Sequence, residues 1–329
     1  MDRALLRDIF QIRNSDTFRE LALKVFHFQA EANKVYRKYL QVLGTDPSHI
    51  REPEQIPFLP VEFFRTHRIL SGSMEPDLVF ESSGTSHMSP ARHYVADGAL
   101  YRQSFTEGFQ GFYGHPDQYC ILALLPSYLE RHGSSLVYMM DHLIRSSEHP
   151  ESGFYLHDMD QLAEVLHRRN RDQHPTLLLG VSFALLDLAE KYPLELGEHI
   201  TVMETGGMKG KRKELVRSEL HAILQQAFGI PGVHSEYGMT ELLSQGYSTG
   251  GGIFEAPPWM RVMVRDVNDP LSLVEPGQVG GLNIIDLANL YSCSFIATGD
   301  LGKVQEGGSF EVLGRFDHAD VRGCNLLVT

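Results

Sequence analysis

TLLLGVS, residues 176–182, is a short run of apolar and small residues in which polar and apolar positions do not alternate. Such a run is typical of a strand that is buried on both faces of a parallel sheet. Similar runs precede and follow it, QYCILALLP at 118–126 and HITVME at 199–204, with segments of helical periodicity between them. This alternation predicts an α/β fold with mostly parallel sheets flanked by helices.

The spacing of apolar residues predicts the helices of this fold. They lie at about 97–112, 134–147, 160–169, 183–191 and 211–228. Nearer the start of the chain, a helical rhythm runs from Ser15 to Leu43 and stops at Gly44, which predicts one long amphipathic helix. A further short strand, GVHSEYG, is predicted at 232–238.

After the glycines at 250–252 the pattern changes to short β-branched segments separated by Gly, Pro or Asn, which is typical of an antiparallel sheet or small barrel. The segments are MRVMVRDV (260–267), GGLNIIDL (280–287), CSFIATGD (293–300) and SFEVLGR (309–315). We therefore expect an α/β core with an N-terminal helical segment at 1–250, and a β-rich subdomain of the same large domain at 251–329.

Composition narrows the class of protein. The chain has 29 Lys and Arg against 42 Asp and Glu, a net charge of −13, which argues against nonspecific binding of nucleic acid or of anionic membranes. No apolar run of about 20 residues predicts a membrane span, and residues 1–15 lack the pattern of a signal peptide. Three scattered cysteines form no disulfide framework, so we expect a cytoplasmic location.

Five loops carry residues suited to nucleotide chemistry. The first is Ser82-Ser83-Gly84-Thr85-Ser86, which follows a strand-like run. Small residues let backbone N–H groups converge on an anion, and hydroxyls add donors to phosphate oxygens. The loop lacks the lysine of a Walker-type motif, and taken alone it is more simply explained as an ordinary polar turn.

The second and third loops follow predicted strands, where open α/β sheets bind their ligands. Gly206-Gly207 would let a planar group lie against the backbone, or would merely form a turn. In the loop Glu236–Glu241, the Thr240 hydroxyl could donate to a phosphate and the Glu241 carboxylate could hold Mg²⁺. The same two residues would also suit the start of a helix.

The last two loops lie in the β-rich part of the chain. Asp300, in TGDLG, could accept both hydroxyls of a ribose, or could bond its own backbone in a turn. Arg315, in LGRFD, could contact a nucleotide or pair with an acid.

In this order, the motifs SSGTS, GG, EYGMTE, TGD and GR resemble those of the adenylate-forming enzymes, the superfamily of acyl-CoA synthetases, luciferases and peptide-synthetase adenylation domains. Within it, the chain is most similar to the LuxE-like acyl-protein synthetase family, from about Pro57 to its end. The phrases that carry this likeness are LLPSYLERHGSSLVYM (124–139), LLLGVSFALL (177–186), ETGGMKGKRKEL (204–215) and DVRGC (320–324).

The resemblance implies that the chain binds ATP and Mg²⁺. The implied nucleotide-binding residues are Ser82, Ser83, Gly84, Thr85, Ser86, Gly206, Gly207, Glu236, Tyr237, Gly238, Met239, Thr240, Asp300 and Arg315. By the same likeness, the SSGTS loop handles the β- and γ-phosphates and Tyr237 contacts the base. Thr240 contacts the α-phosphate, Glu241 binds the magnesium, and His132 lies near the acyl pocket.

The chain departs from most of the superfamily, whose members continue for about 100 further residues, a domain's worth of chain. That small mobile domain supplies a catalytic lysine. Only fourteen residues follow Arg315 here, so the expectation is that the small domain is absent. Either Lys209, Lys211 or Arg212 substitutes for its lysine, or the sequence is incomplete.

Members of the LuxE-like family carry the acyl group on a cysteine near the C-terminus, and Cys324 occupies that place. Its neighbour Arg322 could stabilise a thiolate; a buried small residue in a terminal strand is the alternative. Cys120 and Cys293 lie in apolar runs and are expected in the core.

The resemblance therefore implies ATP-dependent activation of a carboxylic acid, a fatty acid by this likeness, to an acyl-adenylate. Catalysis would involve Thr240, Glu241 and His132, with transfer to Cys324 as a thioester and delivery to an acyl-CoA reductase-like protein partner. Two alternatives remain open: an acyl- or aryl-CoA or carrier-protein ligase, and a nonenzymatic nucleotide- or acyl-binding subunit.

Overall fold

The computed structural model describes residues 3–82, 89–126, 133–192, 194–206 and 215–315. Within these ranges the strands form two six-stranded sheets and one two-stranded sheet. Their hydrophobic side chains share one buried core cluster that draws on both large sheets and the N-terminal helices. No helix in the described ranges is long and apolar enough to cross a membrane.

In chain order the strands are β1 (Leu59–Pro60), β2 (Leu78–Glu81), β3 (Arg92–Val95), β4 (Cys120–Leu124), β5 (Gly153–Phe154), β6 (Thr176–Val181), β7 (Ile200–Thr205), β8 (His234–Tyr237), β9 (Gly246–Ser248), β10 (Ile253–Phe254), β11 (Met260–Arg265), β12 (Gly280–Asp286), β13 (Phe295–Val304) and β14 (Phe310–Arg315). The α-helices are α1 (Arg3–Phe10), α2 (Ser15–Ala32), α3 (Lys34–Leu43), α4 (Phe63–Thr66), α5 (Gly98–Tyr113), α6 (Ser135–Ser146), α7 (Met159–Asp172), α8 (Ser182–Lys191) and α9 (Arg217–Phe228). Short 3-10 helices lie at Pro47–His49, Pro53–Gln55, Pro116–Gln118 and Leu287–Asn289.

The first large sheet has the strand order β5-β4-β6-β7-β8-β9. Its strands are parallel from β5 to β8, and only the edge strand β9 runs antiparallel to its neighbour. Every residue of β4 and β6 is buried, as their unbroken apolar sequences require, and α6 and α8 pack on these strands. The predicted parallel α/β architecture is confirmed.

The second large sheet has the order β10-β14-β13-β12-β11, and these strands are antiparallel. The predicted antiparallel sheet in the C-terminal part of the chain is therefore confirmed. Strand β1 adds to it from the N-terminal part, pairing parallel to β13 with Leu59 opposite Ile296. Strands β1 and β13 are thus neighbours in this sheet although more than 200 residues separate them in the sequence.

The strand predicted before Ser82 is β2, but it joins neither large sheet. It pairs with β3 as an antiparallel hairpin in which Phe80 lies opposite His93. At the end of the hairpin, the Ser82 N–H donates to the Ala91 carbonyl and the Ala91 N–H donates to the Ser82 hydroxyl. The residues between them at 83–88 lie outside the described ranges.

The single helix predicted from Ser15 to Leu43 is wrong, because Asn33 divides it into α2 and α3. The Asn33 backbone is extended, with φ −93° and ψ 108°, and its Oδ1 caps α3 by accepting the N–H groups of Val35 and Tyr36. Asparagine side chains compete with helical hydrogen bonds in this way. Apolar periodicity continues on both sides of Asn33, so it does not reveal the break.

Gln29 ties α2 to the turn between β12 and β13. Its buried amide nitrogen donates to the carbonyls of Asn289 and Leu290 and to the Ser294 hydroxyl, and its oxygen accepts the Ser294 N–H. These bonds satisfy backbone groups that have no place in a regular ladder.

Gln29→Leu is expected to lower the free energy of unfolding by about 3 kcal/mol, because it leaves several buried backbone groups without partners. Urea unfolding would show this as a lower midpoint with an unchanged slope. Gln41→Leu, at an exposed position on α3, is the matched control and should change stability by less than about 0.5 kcal/mol. Equal midpoints for the two variants would contradict the assignment.

Candidate functional site

The carboxyl ends of β7 and β8 bring two of the predicted loops together. The strands are parallel neighbours, with Thr205 opposite Glu236, so Gly206 and Tyr237 follow at the same edge of the sheet. The Thr205 hydroxyl donates to the Glu236 carboxylate over 2.7 Å. This is the edge at which open α/β sheets bind ligands.

Glu236 is buried below that edge. Burial raises the pKa of its carboxyl to about 7, and the charge of nearby Glu204 acts in the same direction, while the hydrogen bond from Thr205 opposes them. Gly238 passes so close that a Cβ at this position would lie 2.5 Å from Glu236 Oε1. A side chain at position 238 would therefore displace the carboxylate of the buried acid beside it.

Glu204, on β7, is the second buried acid of this edge. Its carboxylate lies 3.1 Å from Arg217 Nε and 3.7 Å from His221 Nε2. Burial raises its pKa, but His221, Arg217 and Ser235 outweigh that effect and lower it below the ordinary value. Glu204 is thus held as a charged partner inside the protein.

Arg217 also connects the parallel sheet to the antiparallel one. Its Nη1 donates to the Val312 carbonyl on β14, and its guanidinium lies 4.9 Å from the centre of the Phe254 ring. A guanidinium that donates to two partners and also contacts an aromatic ring is well suited to such a junction. The carboxyl edge of the parallel sheet therefore faces β10 and β14.

Tyr237 and Asp300 meet across this junction. The Tyr237 hydroxyl donates to Asp300 Oδ2 over 2.8 Å, and the Asp300 N–H donates to the Thr298 hydroxyl. Burial raises the pKa of Asp300, with Tyr237, Arg315 and Arg265 acting against it. One carboxylate oxygen of the predicted ribose-binding acid is therefore already used by the predicted base-binding aromatic.

Arg315 lies opposite Asp300 in the β13–β14 ladder. Its Nε is 3.9 Å from Asp300 Oδ1, and 82% of its side chain is exposed. Because exposed ion pairs contribute little to stability, the pair of Arg315 with Asp300 contributes little to the fold.

Glu241 is buried near the same junction. Burial raises the pKa of its carboxyl to about 7, while the charges of Arg315 and Arg65 lower it and that of Asp300 raises it. Within the described residues, no group of three or more His, Cys, Asp or Glu could hold a metal ion. A single carboxylate fits Mg²⁺, which keeps several water ligands and shares phosphate oxygens, and a cation would offset the cost of burying the Glu241 charge.

The segment 238–245, which carries Thr240 and Glu241, is neither helix nor strand. Two side chains hold its backbone near these residues: His93 Nδ1 donates to the Thr240 carbonyl over 2.8 Å, and Asn289 Nδ2 donates to the Glu241 carbonyl over 2.7 Å. Consecutive carbonyls are thus fixed from the β2–β3 hairpin and from the antiparallel sheet.

Asp286 holds the same segment further along. Its carboxylate accepts the N–H groups of Leu243 and Ser244 at 2.8 and 2.9 Å and the Ser244 hydroxyl at 2.6 Å. Sequence reasoning missed this residue, together with His93 and Asn289. For Asp286 a signal exists, since an acid at the end of an apolar strand needs a buried partner.

Some of the predicted site residues lie outside the described ranges, so their positions stay predictions. They are Ser83, Gly84, Thr85, Ser86, His132, Gly207, Lys209, Lys211, Arg212 and Cys324. The described part of the site consists of Ser82, Gly206, Arg315 and the segment from Glu236 to Glu241, with Asp300.

Two cysteines can be assessed directly. Cys120 and Cys293 are fully buried, as expected, and burial raises the pKa of each thiol to about 12. Neither can form a thiolate or reach a substrate under ordinary conditions.

Glu236→Gln is expected to change how stability depends on pH. The folded pKa, about 7, exceeds the ordinary value of 4.5. The stability from the buried neutral acid is therefore complete below the ordinary value and is lost as the pH rises through about 7. Glutamine stays neutral, so the variant should gain about 3 kcal/mol over wild type between about pH 4.5 and pH 8.

Urea unfolding of both proteins across this pH range measures that difference. Glu219→Gln, at an exposed position on α9, is the control and should follow the wild-type curve. Parallel curves for Glu236→Gln and wild type would show that Glu236 is not held neutral in the fold.

Comparisons with known proteins place this geometry in a family. Residues 10–329 match the family described as acyl-protein synthetase, LuxE. No curated protein shows significant similarity to the chain. Among solved structures, ATP-bound MatB from Rhodopseudomonas palustris is 20% identical, with a TM-score of 0.54 over 74% of this chain and 49% of MatB.

A second similar structure is 2-hydroxyisobutyryl-CoA ligase (HCL). Its open conformation in complex with 2-HIB-AMP and CoA is 15% identical, with a TM-score of 0.66 over 93% of this chain and 72% of that one. The thioesterification state of the same ligase gives 16% identity and a TM-score of 0.63, over 96% and 68%. This chain spans about half the length of MatB. The fold is that of the adenylate-forming enzymes, and the match over nearly the whole chain shows that it belongs to the LuxE acyl-protein synthetase family.

Proposed function

We propose that this protein uses ATP to activate a carboxylic acid as an acyl-adenylate and then transfers the acyl group to Cys324. The observation that carries the proposal is the contact of Tyr237 with Asp300 where the carboxyl edge of the parallel sheet faces the antiparallel sheet, with Glu241 buried near them. The chain belongs to the LuxE family, and its motifs SSGTS, GG, EYGMTE, TGD and GR stand in the order that the resemblance to adenylate-forming enzymes implies.

In the first step, a carboxylate oxygen of the acid attacks the α-phosphorus of ATP. A bond from this oxygen to phosphorus forms, the bond to the bridging oxygen of the β-phosphate breaks, and pyrophosphate leaves. The work of the protein is to hold the reacting groups in line and to balance their charge.

Each described residue has a distinct part in holding the nucleotide. The Tyr237 ring, packed against Phe254 and Phe310, offers a face to the adenine. Asp300 binds the ribose through Oδ1, because Oδ2 accepts from Tyr237. Thr240 donates its hydroxyl to an α-phosphate oxygen.

Glu241 would hold Mg²⁺ next to the phosphates. When bound, the metal neutralises the charge of the transferring group and of the leaving pyrophosphate. The buried position of Glu241 favours this role, because its carboxylate is costly to ionise without a cation. The SSGTS loop from Ser82 to Ser86 would bind the β- and γ-phosphates.

In the second step, the Cys324 thiolate attacks the acyl carbonyl carbon. A carbon–sulfur bond forms, the bond to the phosphate oxygen breaks, and AMP leaves. The two buried cysteines are unsuitable carriers, which supports Cys324. A fatty acid is the proposed substrate, and an acyl-CoA reductase-like protein is the proposed acceptor of the thioester.

Glu241→Gln is expected to lower ATP–pyrophosphate exchange, measured with Mg²⁺ and a panel of fatty acids, by about 100-fold or more, since a metal ion contributes several kcal/mol to such a reaction. The exposed control Glu219→Gln should retain wild-type exchange. Exchange unchanged in Glu241→Gln would remove Glu241 from the metal site. No exchange by wild type with any acid would favour a nonenzymatic nucleotide-binding role.

Cys324→Ser is expected to abolish acyl labelling of the protein while leaving exchange intact. Wild type incubated with ATP, Mg²⁺ and a radiolabelled fatty acid should show a labelled band that hydroxylamine removes. Cys120→Ala is the control and should keep the band. Exchange without a labelled band in wild type would favour transfer to CoA or to a carrier protein.

A further inference from the structure

His93 makes a contact that joins two distant parts of the chain. It lies on β3, and its fully buried Nδ1 is 2.8 Å from the carbonyl oxygen of Thr240, 147 residues further along. The ring packs edge-on against Phe64, with the ring centres 5.6 Å apart. Buried polar side chains are nearly always hydrogen-bonded. The partner of this one is the backbone of a proposed phosphate-binding residue.

The chemistry of the ring is determined by its partners. A carbonyl oxygen only accepts, so the proton lies on Nδ1. Nε2 has no hydrogen-bond partner among the described residues, and burial lowers the pKa of the ring to about 4. His93 is therefore neutral near pH 7, and its bond to Thr240 persists there.

The position of His93 in the hairpin gives this bond a consequence. His93 lies opposite Phe80 and two residues after Ala91, which closes the hairpin by its backbone bonds with Ser82. Neither β2 nor β3 pairs with a large sheet. The place of the hairpin therefore depends on contacts outside the strand ladders. One is the bond from the Glu81 N–H to the Gly133 carbonyl, and the bond of His93 to Thr240 is the one that reaches the segment 238–245.

We propose that His93 is a positioning residue for the binding of Mg²⁺–ATP. It sets the Thr240–Glu241 segment at a fixed distance from the hairpin that leads into the Ser82 loop. This inference rests on the proposed function, in which both segments act on one triphosphate. Asn289 fixes the neighbouring carbonyl from the antiparallel sheet, so His93 supplies the connection to the phosphate loop. A shift of about 1 Å between such groups can cost up to 100-fold in rate.

The test compares His93→Leu with His93→Asn. The two side chains have the same number of heavy atoms and branch at the same carbon, but only asparagine can donate from the position of Nδ1. We expect His93→Leu to lower kcat/KM for Mg²⁺–ATP in pyrophosphate exchange by about 10- to 100-fold, with the KM of the acid unchanged. His93→Asn should remain within about threefold of wild type, because it keeps the donor.

A control shows whether loss of another histidine with a hydrogen bond inside the fold has this effect. His234 bonds Tyr113 at the amino end of β8, away from the site, so His234→Leu should leave kcat/KM for Mg²⁺–ATP unchanged. Equal losses in His93→Leu and His93→Asn, or no loss in either, would overturn the proposal. If His93→Leu does not fold, His93→Gln replaces it, because the glutamine amide lies near the position of Nε2 and not of Nδ1. Equal kcat/KM values for the glutamine and asparagine variants would then overturn the proposal.

A second measurement separates this inference from the proposed function. If wild type shows no pyrophosphate exchange with any of the acids, the proposed function fails. His93 is then tested by the rise in Tm on adding Mg²⁺–ATP. A rise in wild type and His93→Asn that His93→Leu lacks would support the positioning role. A rise that is equal in all three proteins, or absent from wild type, would overturn it.

Discussion

The arrangement of the candidate site depends on the buried carboxylate of Asp286. It terminates β12 and accepts two backbone N–H groups and one hydroxyl from Leu243 and Ser244. Burial raises its pKa, and these donors act to keep it ionised. Because hydrogen bonds to a charged acceptor are stronger than neutral ones, Asp286 can anchor a segment that has no helix or strand of its own. Thr240 and Glu241 precede that anchor directly.

The candidate site lies where the two large sheets meet, and each sheet contributes one partner of the hydrogen bond between Tyr237 and Asp300. Tyr237 comes from the parallel sheet and Asp300 from the antiparallel one, while Arg217 bonds both Glu204 and the Val312 carbonyl. Such a junction suits a ligand with chemically different ends, because an aromatic face, a carboxylate and a buried acid are presented side by side. ATP is a ligand of this kind.

The buried acids around this junction differ in what compensates their charge. Glu204 has a guanidinium and an imidazole beside it, and its pKa is lowered. Glu236 has one hydroxyl and Glu241 has more distant cations, and the pKa of each is raised to about 7. A cation from solution would stabilise Glu241 more than Glu204, whose charge is already paired. The difference supports a structural role for Glu204 and the proposed Mg²⁺-binding role for Glu241.

The sequence alone indicated strands β4, β6–β8 and β11–β14, helices α5–α9 and the order of the loops, because burial on one or both faces leaves a periodic apolar pattern in neighbouring residues. It also singled out Tyr237, Thr240, Glu241 and Asp300, through motifs that are local. Only the tertiary structure decided the break at Asn33, the separate β2–β3 hairpin and the bonds from His93, Asp286 and Asn289 to the segment 238–245. The bonds from His93, Asp286 and Asn289 join residues that are tens to hundreds of positions apart, and a hydrogen bond between distant residues leaves no periodic signal around either of them.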